Sequence, residues 1–333
     1  MDGVLPEAVG PLASRLRRRA MPGWIPPMLA TLSKTVFSDA DWIYEVKLDG
    51  QRSLLFRRGS SIRLMTRNQK DRTPHYPDLE AALAGGPDLI ADGEIVAFDG
   101  ERTSFSRLQD RMQNARPTAQ QLHAVPVHFY VFDVLWFDGY DLTALPLLTR
   151  KEVLRRALRF GDRVRLSDHL EADGEPAFRA ACERGLEGLI AKRADSPYAP
   201  GRSRDWLKFK CVNEQEFVVV GWTDPQGSRS GLGALLVGYH DGSDLLFAGK
   251  VGTGFGRAEI ARLTARLAPI ERAGPPVADA TGLPRSGVHW VEPELVAQIG
   301  FGEWTDDGKL RHPRYQGLRD DKDPREVTRE RRS

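Results

Sequence analysis

Cysteine is nearly absent from the 333 residues: there are 2, Cys182 and Cys211, in no C-x-x-C spacing. That excludes a disulfide-stapled scaffold and a cysteine zinc module, and it points to a reducing cytoplasm in which both thiols are small buried apolar residues. No apolar run approaches a membrane span and the N-terminus lacks the apolar core of a signal peptide, so no membrane partner is expected. An excess of either charge is missing too. Lys and Arg total 48 against 46 Asp and Glu, a net of +2, so the whole-molecule charge does not mark a nucleic-acid binder, and any basic surface must be local. The 7 histidines are scattered and form no ligand cluster.

What is present is an ordinary globular composition, 41% hydrophobic and 28% charged, long enough for two domains. Residues 1–23, with the basic stretch LASRLRRRA, read as a helix or a disordered tail, and a flexible, solvated extension is the expectation. Strand-like runs follow at WIYEVK, RSLLFRR, SIRLMTR, LIADGEIVAF and HFYVFDVLWF, with helix-like segments at PDLEAALAG and FSRLQDRMQNA. Helical stretches at LTRKEVLRRAL and PAFRAACERG precede two more strands, GLEGLIAKR and DWLKFK. From Glu216 the chain changes to short strands with Gly- and Asp-rich turns and one helix, RAEIARLTARL, the pattern of a small antiparallel OB-type barrel. These readings give an α+β first domain over 24–212, a second over 213–325 with the boundary near Cys211 to Glu214, and a frayed charged tail over 326–333. The glycines of KVGTGFG are spaced G-x-G-x-G, so they read as turn residues of the barrel and not as a dinucleotide-binding loop.

Four constellations carry chemistry. In EVKLDGQR an extended strand places Glu45, Lys47 and Asp49 on one face and Val46 and Leu48 toward the core. A wet strand face gives the same pattern, and a Lys-x-Asp-Gly tetrad arises by accident in roughly one chain in fifteen of this length. In WLKFK the same alternation sets Lys208 and Lys210 side by side with Trp206, an arrangement that gains from an anion between the lysines. Asp92 and Glu94 of IADGEIVAF and Glu187 of GLEGLIAKR are hard oxygen donors suited to Mg²⁺ or Mn²⁺ held partly by substrate phosphate. Phe132, in an aromatic-rich run, is either core or a flat face for a base.

Taken in order, KLDG with Arg52, TRN around Arg67, DGE around Glu94, YVFDVL around Phe132, EGLIAK from Glu187 to Lys192, WLKFK and RHPRYQGLRDDK resemble the motif series of the covalent nucleotidyltransferases, the polynucleotide ligases and capping enzymes. PMLATL and EFVVVGWTDPQGSRSGLGALLVGYH resemble, within that superfamily, the ATP-dependent ligase module of bacterial non-homologous end joining, the DNA ligase D type. The resemblance implies an ATP-grasp-like adenylation domain of antiparallel sheets with helices, followed by an OB-fold β-barrel domain, together a minimal stand-alone ligase. It makes Lys47 the nucleophile that takes AMP from ATP, with Lys208 and Lys210 assisting. Glu45 then lies against adenine, Phe132 stacks on the base, Arg67 and Glu94 contact ribose and phosphates, and Arg52 lies near the nick phosphate. Glu187 is the implied metal ligand, with Glu94 as a second. In the late basic motif of Arg311, Arg314, Arg319, Asp321 and Lys322, the resemblance assigns Arg319 and Lys322 to the ATP phosphates in the first step, with a hinge near Cys211 to Glu214. Nicked or broken double-stranded DNA is the implied partner of a cytoplasmic, nucleoid-associated monomer, and a Ku-like end-binding partner is left open. An RNA ligase or capping guanylyltransferase is the rival within the superfamily, and an inactive OB-type nucleic-acid binder is the rival outside it.

Overall fold

Alternating apolar residues dominate the chain up to Cys211, and in the computed structural model they become two sheets that share a core. The structure describes residues 4–33, 35–211, 213–225, 231–279, 282–284, 286–305 and 307–330. Val212 at the expected boundary, the 226–230 turn and the last three residues of the expected tail lie outside the described residues. The chain divides into two compact units, one ending at Cys211 and one beginning just after it.

The first unit contains α1 (Val4–Val9), β1 (Met28–Leu32), β2 (Trp42–Val46), β3 (Gln51–Arg58), β4 (Ser61–Thr66), α2 (Pro77–Leu83), β5 (Leu89–Asp99), α3 (Phe105–Met112) and β6 (Val127–Phe137). After these come α4 (Leu147–Ala157), β7 (His169–Glu171), α5 (Gly174–Glu183), β8 (Gly188–Arg193) and β9 (Gly201–Lys210). One sheet runs β6-β5-β3-β4 and the other β7-β2-β8-β9-β1. The continuous apolar run of β6 is buried on both faces: Val127, Phe129 and Val131 pack with Val153 and Leu154 of α4, while Phe132 and Trp136 meet Met28 and Trp206 of the other sheet and Tyr198 of the segment before β9. The sheets are not wholly antiparallel as expected. Val164–Leu166 joins β6 and β1 joins β9 in parallel, pairings between segments far enough apart in sequence that no hairpin constrains their direction.

Strand β8 sets the layout of the second sheet. On one face Leu189 and Ala191 pack with Tyr44, Phe209 and Ala181 of α5. The register puts Glu45, Ile190 and Lys208 in one row and Ile43, Lys192 and Trp206 in the next, on the opposite face.

Three expectations are corrected. The N-terminal segment is not a solvated extension, because Leu5 and Val9, one helical turn apart, are buried with α4, and Arg17–Arg18 pairs with Tyr140–Asp141. The cysteines are not separate apolar fillers: Cys182 and Cys211 are joined in a disulfide, with Cα atoms 5.3 Å apart. Val46 does not enter the core either. It is the last residue of β2, 41% exposed, while Glu45 beside it is buried at 2%.

The second unit contains β10 (Asn213–Thr223), β11 (Ala234–Asp241), β12 (Asp244–Val251), α6 (Arg257–Leu267), β13 (Val288–Val291), β14 (Val296–Phe301) and β15 (Arg314–Leu318). The first half of β10 pairs with β14 and the second half with β11 and β13, so one strand serves two sides of an OB-type antiparallel sheet. Among the described residues the ladder does not close into the expected barrel. Its ends are linked instead by the Tyr315 N–H donating to the Thr253 carbonyl at 2.9 Å. Gly254 has φ +97°, and a Cβ there would lie 2.2 Å from the Tyr315 oxygen, which makes it a turn glycine. The final described residues are not frayed. Val327 is buried in the core, and the Gln215 amide both donates to the Thr328 carbonyl at 3.0 Å and accepts from the Glu330 N–H at 2.9 Å.

Candidate active site

The Lys-x-Asp-Gly turn between β2 and β3 is fixed by Lys47, Asp49 and Gly50. The Lys47 N–H donates to the Gly188 carbonyl at 2.9 Å, extending the β2–β8 ladder by one bond. Asp49 ties the turn to the start of α3: its N–H donates to Thr103 Oγ1 at 3.0 Å, and its carboxylate accepts from the Phe105 N–H at 2.9 Å. Gly50 passes so close to β5 that a Cβ would lie 2.3 Å from the Ile95 carbonyl oxygen. A larger residue would lift the turn off the sheet.

So held, Lys47 points its ammonium at Glu187, with which it forms an ion pair through Oε1. Glu187 Oε2 is buried without a hydrogen-bond partner. A buried carboxylate oxygen lacking a donor is an open position for a hard cation. Among the described residues no three His, Cys, Asp or Glu side chains come together, so a cation at Glu187 would complete its shell with water or substrate oxygens.

Beneath this edge lies a buried cluster. Glu45 accepts from Lys151 Nζ at 2.8 Å, Ser167 Oγ at 2.9 Å and Lys192 Nζ at 2.9 Å. Burial opposes ionisation of Glu45, but the two ammonium groups outweigh it and hold its pKa down at about 2. Lys192 feels the opposite balance, with burial and the neighbouring Lys151 lowering it to about 8 despite Glu45. Two cations share one carboxylate, and the next carboxylate, Asp133, is taken by the buried Arg150 through two bonds of 2.8 Å. The cluster therefore keeps an excess of positive charge that suits an anion.

Phe132 sits between this cluster and a second one. Lys192 Nζ lies 4.1 Å and the Arg52 guanidinium 4.6 Å from its ring centroid, and Trp206 meets it edge-on at 6.0 Å. Arg52 donates to both oxygens of Asp92 at 2.5 Å and to the Met28 carbonyl at 3.1 Å, leaving Nη1 without a hydrogen bond. Tyr198 also donates to Asp92, at 2.5 Å. Burial works against the Arg52 charge, but Asp92 raises its pKa further above the ordinary range.

Of the residues singled out in the sequence, Lys47 and Glu187 are in contact, Arg52 and Phe132 are in contact, and Glu45 reaches Phe132 through Lys192. Lys210 is the ladder partner of Gly188 and Lys208 that of Ile190, so both stand on β9, across β8 from the Lys47 turn. Glu94 is the ladder partner of Arg52, and Arg67 is half-buried just beyond β4. Arg319 and Lys322 belong to the second unit, where Arg319 is bound by both oxygens of Asp321 at 2.9 Å and Lys322 pairs with Glu216 at 2.7 Å. The sequence reading gave no role to Lys151, Ser167 or Tyr198. Lys192 had a readable signal: it ends the apolar run GLIA on a strand, where a lysine is a buried cation as readily as a solvated one.

The chain matches the ATP dependent DNA ligase domain over residues 27–210 and the ATP dependent DNA ligase C terminal region over residues 228–322. It is 38% identical over 340 residues to the multifunctional non-homologous end joining protein LigD of Pseudomonas aeruginosa, covering 98% of this chain and 40% of that protein. A probable DNA ligase of Dictyoglomus thermophilum is 32% identical, with 85% of this chain and 54% of that one covered. Among solved structures, a mycobacterial DNA ligase D complexed with ATP and MES superposes with a TM-score of 0.65 at 36% identity, covering 91% of this chain and 98% of that one. The chain thus spans well under two thirds of the length of these two relatives.

Proposed function

The chain belongs to the ATP-dependent DNA ligase family, and from that premise we propose that it seals 5′-phosphate/3′-hydroxyl nicks or breaks in double-stranded DNA through a lysyl-AMP intermediate on Lys47, in repair by non-homologous end joining. One observation carries the reading: Lys47 stands on a turn pinned by Asp49 and Gly50 and faces Glu187, whose second oxygen is buried and unpartnered. A mere wet strand face has no need of either feature.

In the first step the Lys47 amine leaves Glu187, loses its proton and attacks the α-phosphorus of ATP, and pyrophosphate departs. The AMP then passes from Lys47 to the 5′-phosphate of the nick, and the adjoining 3′-hydroxyl displaces AMP as the strand is sealed. Lys208 and Lys210 stabilise charge on the phosphates. Mg²⁺ or Mn²⁺, when bound, supplies Lewis-acid stabilisation of the same charge, and Glu187 Oε2 is the oxygen to hold it, with Glu94 as a second carboxylate. Phe132 gives a face to adenine in place of one of the two cations, Lys192 and Arg52, that lie over its ring in the free protein, and Arg67 and Glu94 contact ribose and phosphates. Arg52 keeps Nη1 for the nick phosphate, since its other donors serve Asp92 and Met28. Glu45 has three of its roughly four acceptor positions filled, so one remains for the adenine N6 donor. In the second unit, Arg319 and Lys322 serve the ATP phosphates in the first step only.

Nicked or broken DNA is the substrate, the working form is a cytoplasmic, nucleoid-associated monomer, and a Ku-like protein is a candidate recruiter. Among the described residues no helix is long and apolar enough to cross a membrane. Incubation with α-labelled ATP or GTP followed by a denaturing gel tests the reading. A labelled band with ATP and a much fainter one with GTP is expected, and a band with GTP alone would replace it with a capping activity.

A further inference from the structure

The Cys182–Cys211 disulfide takes no part in the chemistry above, yet it adjoins both segments that carry it. Cys182 lies in the last turn of α5. The chain leaves that helix through Gly185, whose N–H donates to the Cys182 carbonyl at 2.9 Å, and Leu186, whose N–H donates to the Ala181 carbonyl at 2.9 Å; Glu187 comes next. Cys211 directly follows Lys210, and its N–H donates to the Glu187 carbonyl at 3.0 Å. Glu187 is thus held from one side by the helix end and from the other by Cys211, and the disulfide locks these two holds together. The turn has little slack, because Gly188 has φ +144° and a Cβ there would lie 1.9 Å from the Phe209 carbonyl oxygen. Any movement of this turn passes to the Glu187 carboxylate facing Lys47 and to the Gly188 carbonyl that accepts the Lys47 N–H. Both cysteines are half-buried, within reach of a small dithiol.

We propose that the Cys182–Cys211 disulfide is a redox-operated tether that positions Glu187 against Lys47 and beside Lys210, so that exchange with a dithiol reductant regulates adenylation of the lysine. The exchange balances: one thiolate of the reductant attacks a sulfur of the bridge, its second thiol displaces the mixed disulfide, and the reductant leaves as its own disulfide. The protein pair gains two electrons and two protons. The regulatory part rests on the reading of Lys47 given above, whereas the tether does not.

The test uses the full chain, oxidised, reduced with dithiothreitol and re-oxidised, together with Cys182→Ser and Cys211→Ser. Hydrogen exchange of the amides in 184–190 and 208–211, and of Lys47, reads the tether; labelling by α-labelled ATP reads the regulation. Reduction is expected to speed exchange in these segments while the second unit stays unchanged, and to slow labelling on the order of tenfold. Re-oxidation restores both. The serine variants match the reduced protein and ignore the reductant. Equal exchange in both redox states overturns the proposal, as does a uniform loss of protection throughout the chain or a serine variant that still responds to dithiothreitol. Labelling at equal rates in both states overturns the regulation. No label in either state, with faster local exchange on reduction, sinks the Lys47 reading and upholds the tether.

Discussion

Lys192 donates to Glu45 at 2.9 Å inside the first unit, and it must share that carboxylate with Lys151. The sharing makes stability depend on pH at two ends. Glu45, depressed from 4.5 to about 2, contributes stability that is present above 4.5 and is lost as pH falls toward 2, on the order of 3 kcal/mol. Lys192, depressed from 10.5 to about 8, releases its proton in the folded state before the unfolded one does. Stability therefore rises as pH rises from 8 toward 10.5. Urea unfolding between pH 7.5 and 9.5 is expected to show that rise in the wild type and a flatter profile in Lys192→Met. A wild type that loses stability over this range, with the variant unchanged, would refute the charge balance of the cluster.

Lys47→Ala should abolish the covalent adenylate while leaving sealing of a pre-adenylated nick, because only the first step uses the amine as nucleophile. The check is a denaturing gel for the protein adenylate beside a sealing assay on adenylated DNA. A labelled protein band in the variant would move the nucleophile elsewhere.

Glu187→Ala removes the unpartnered oxygen and Lys47's partner together. Both half-reactions should fall by about 100-fold, and the Mn²⁺ concentration giving half-maximal rate should rise. An unaltered metal dependence would return Glu187 to a structural role.

The second unit allows a cleaner cut than truncation. Deleting residues 311–333 would remove β15, whose Tyr315 and Leu318 are buried in the core. Arg319→Ala would remove the two-bond partner of the buried Asp321 carboxylate and so disturb the fold of the second unit. Lys322→Ala breaks a partly exposed ion pair with Glu216, costing about 0 to 1 kcal/mol, and takes one positive charge from beside Asp321 while leaving Arg319 on that carboxylate. It should slow reaction with free ATP at least tenfold and spare sealing of a pre-adenylated nick. Equal loss in the two steps would make Lys322 a DNA contact.

Much of this was legible in the sequence because strand periodicity is a local signal. The alternation in WLKFK put Trp206 and the lysines on one face, and the ladder rows agree. The order of motifs carried the family, which the matched domains show. Burial of charge was legible only at Lys192, which ends an apolar run. Glu45 looks like a surface residue until Lys192 and Lys151, the latter from a helix far along the chain, complete its contacts. The disulfide escaped for a like reason: pairing depends on where α5 ends relative to β9, which no spacing of two cysteines encodes. Docking of the N-terminal segment left a periodic trace that went unread, since Leu5, Val9, Leu12 and Leu16 recur at helical spacing and all pack on the core, whereas Val327 is a single apolar anchor with no pattern around it.

The layout of β9 sets a rule about chain length. Trp206, Lys208 and Lys210 occupy one side of the strand, while Leu207 and Phe209 belong to the apolar cluster on the other. A substitution at one of these positions alters one side chain. An inserted or deleted residue between Trp206 and Lys210 would instead turn ammonium groups into the cluster around Tyr44 and bring Leu207 and Phe209 out beside Lys47. This segment is therefore fixed in residue count as well as in its two lysines, and grafting or recombination within the first unit must place its junctions outside Trp206 to Lys210.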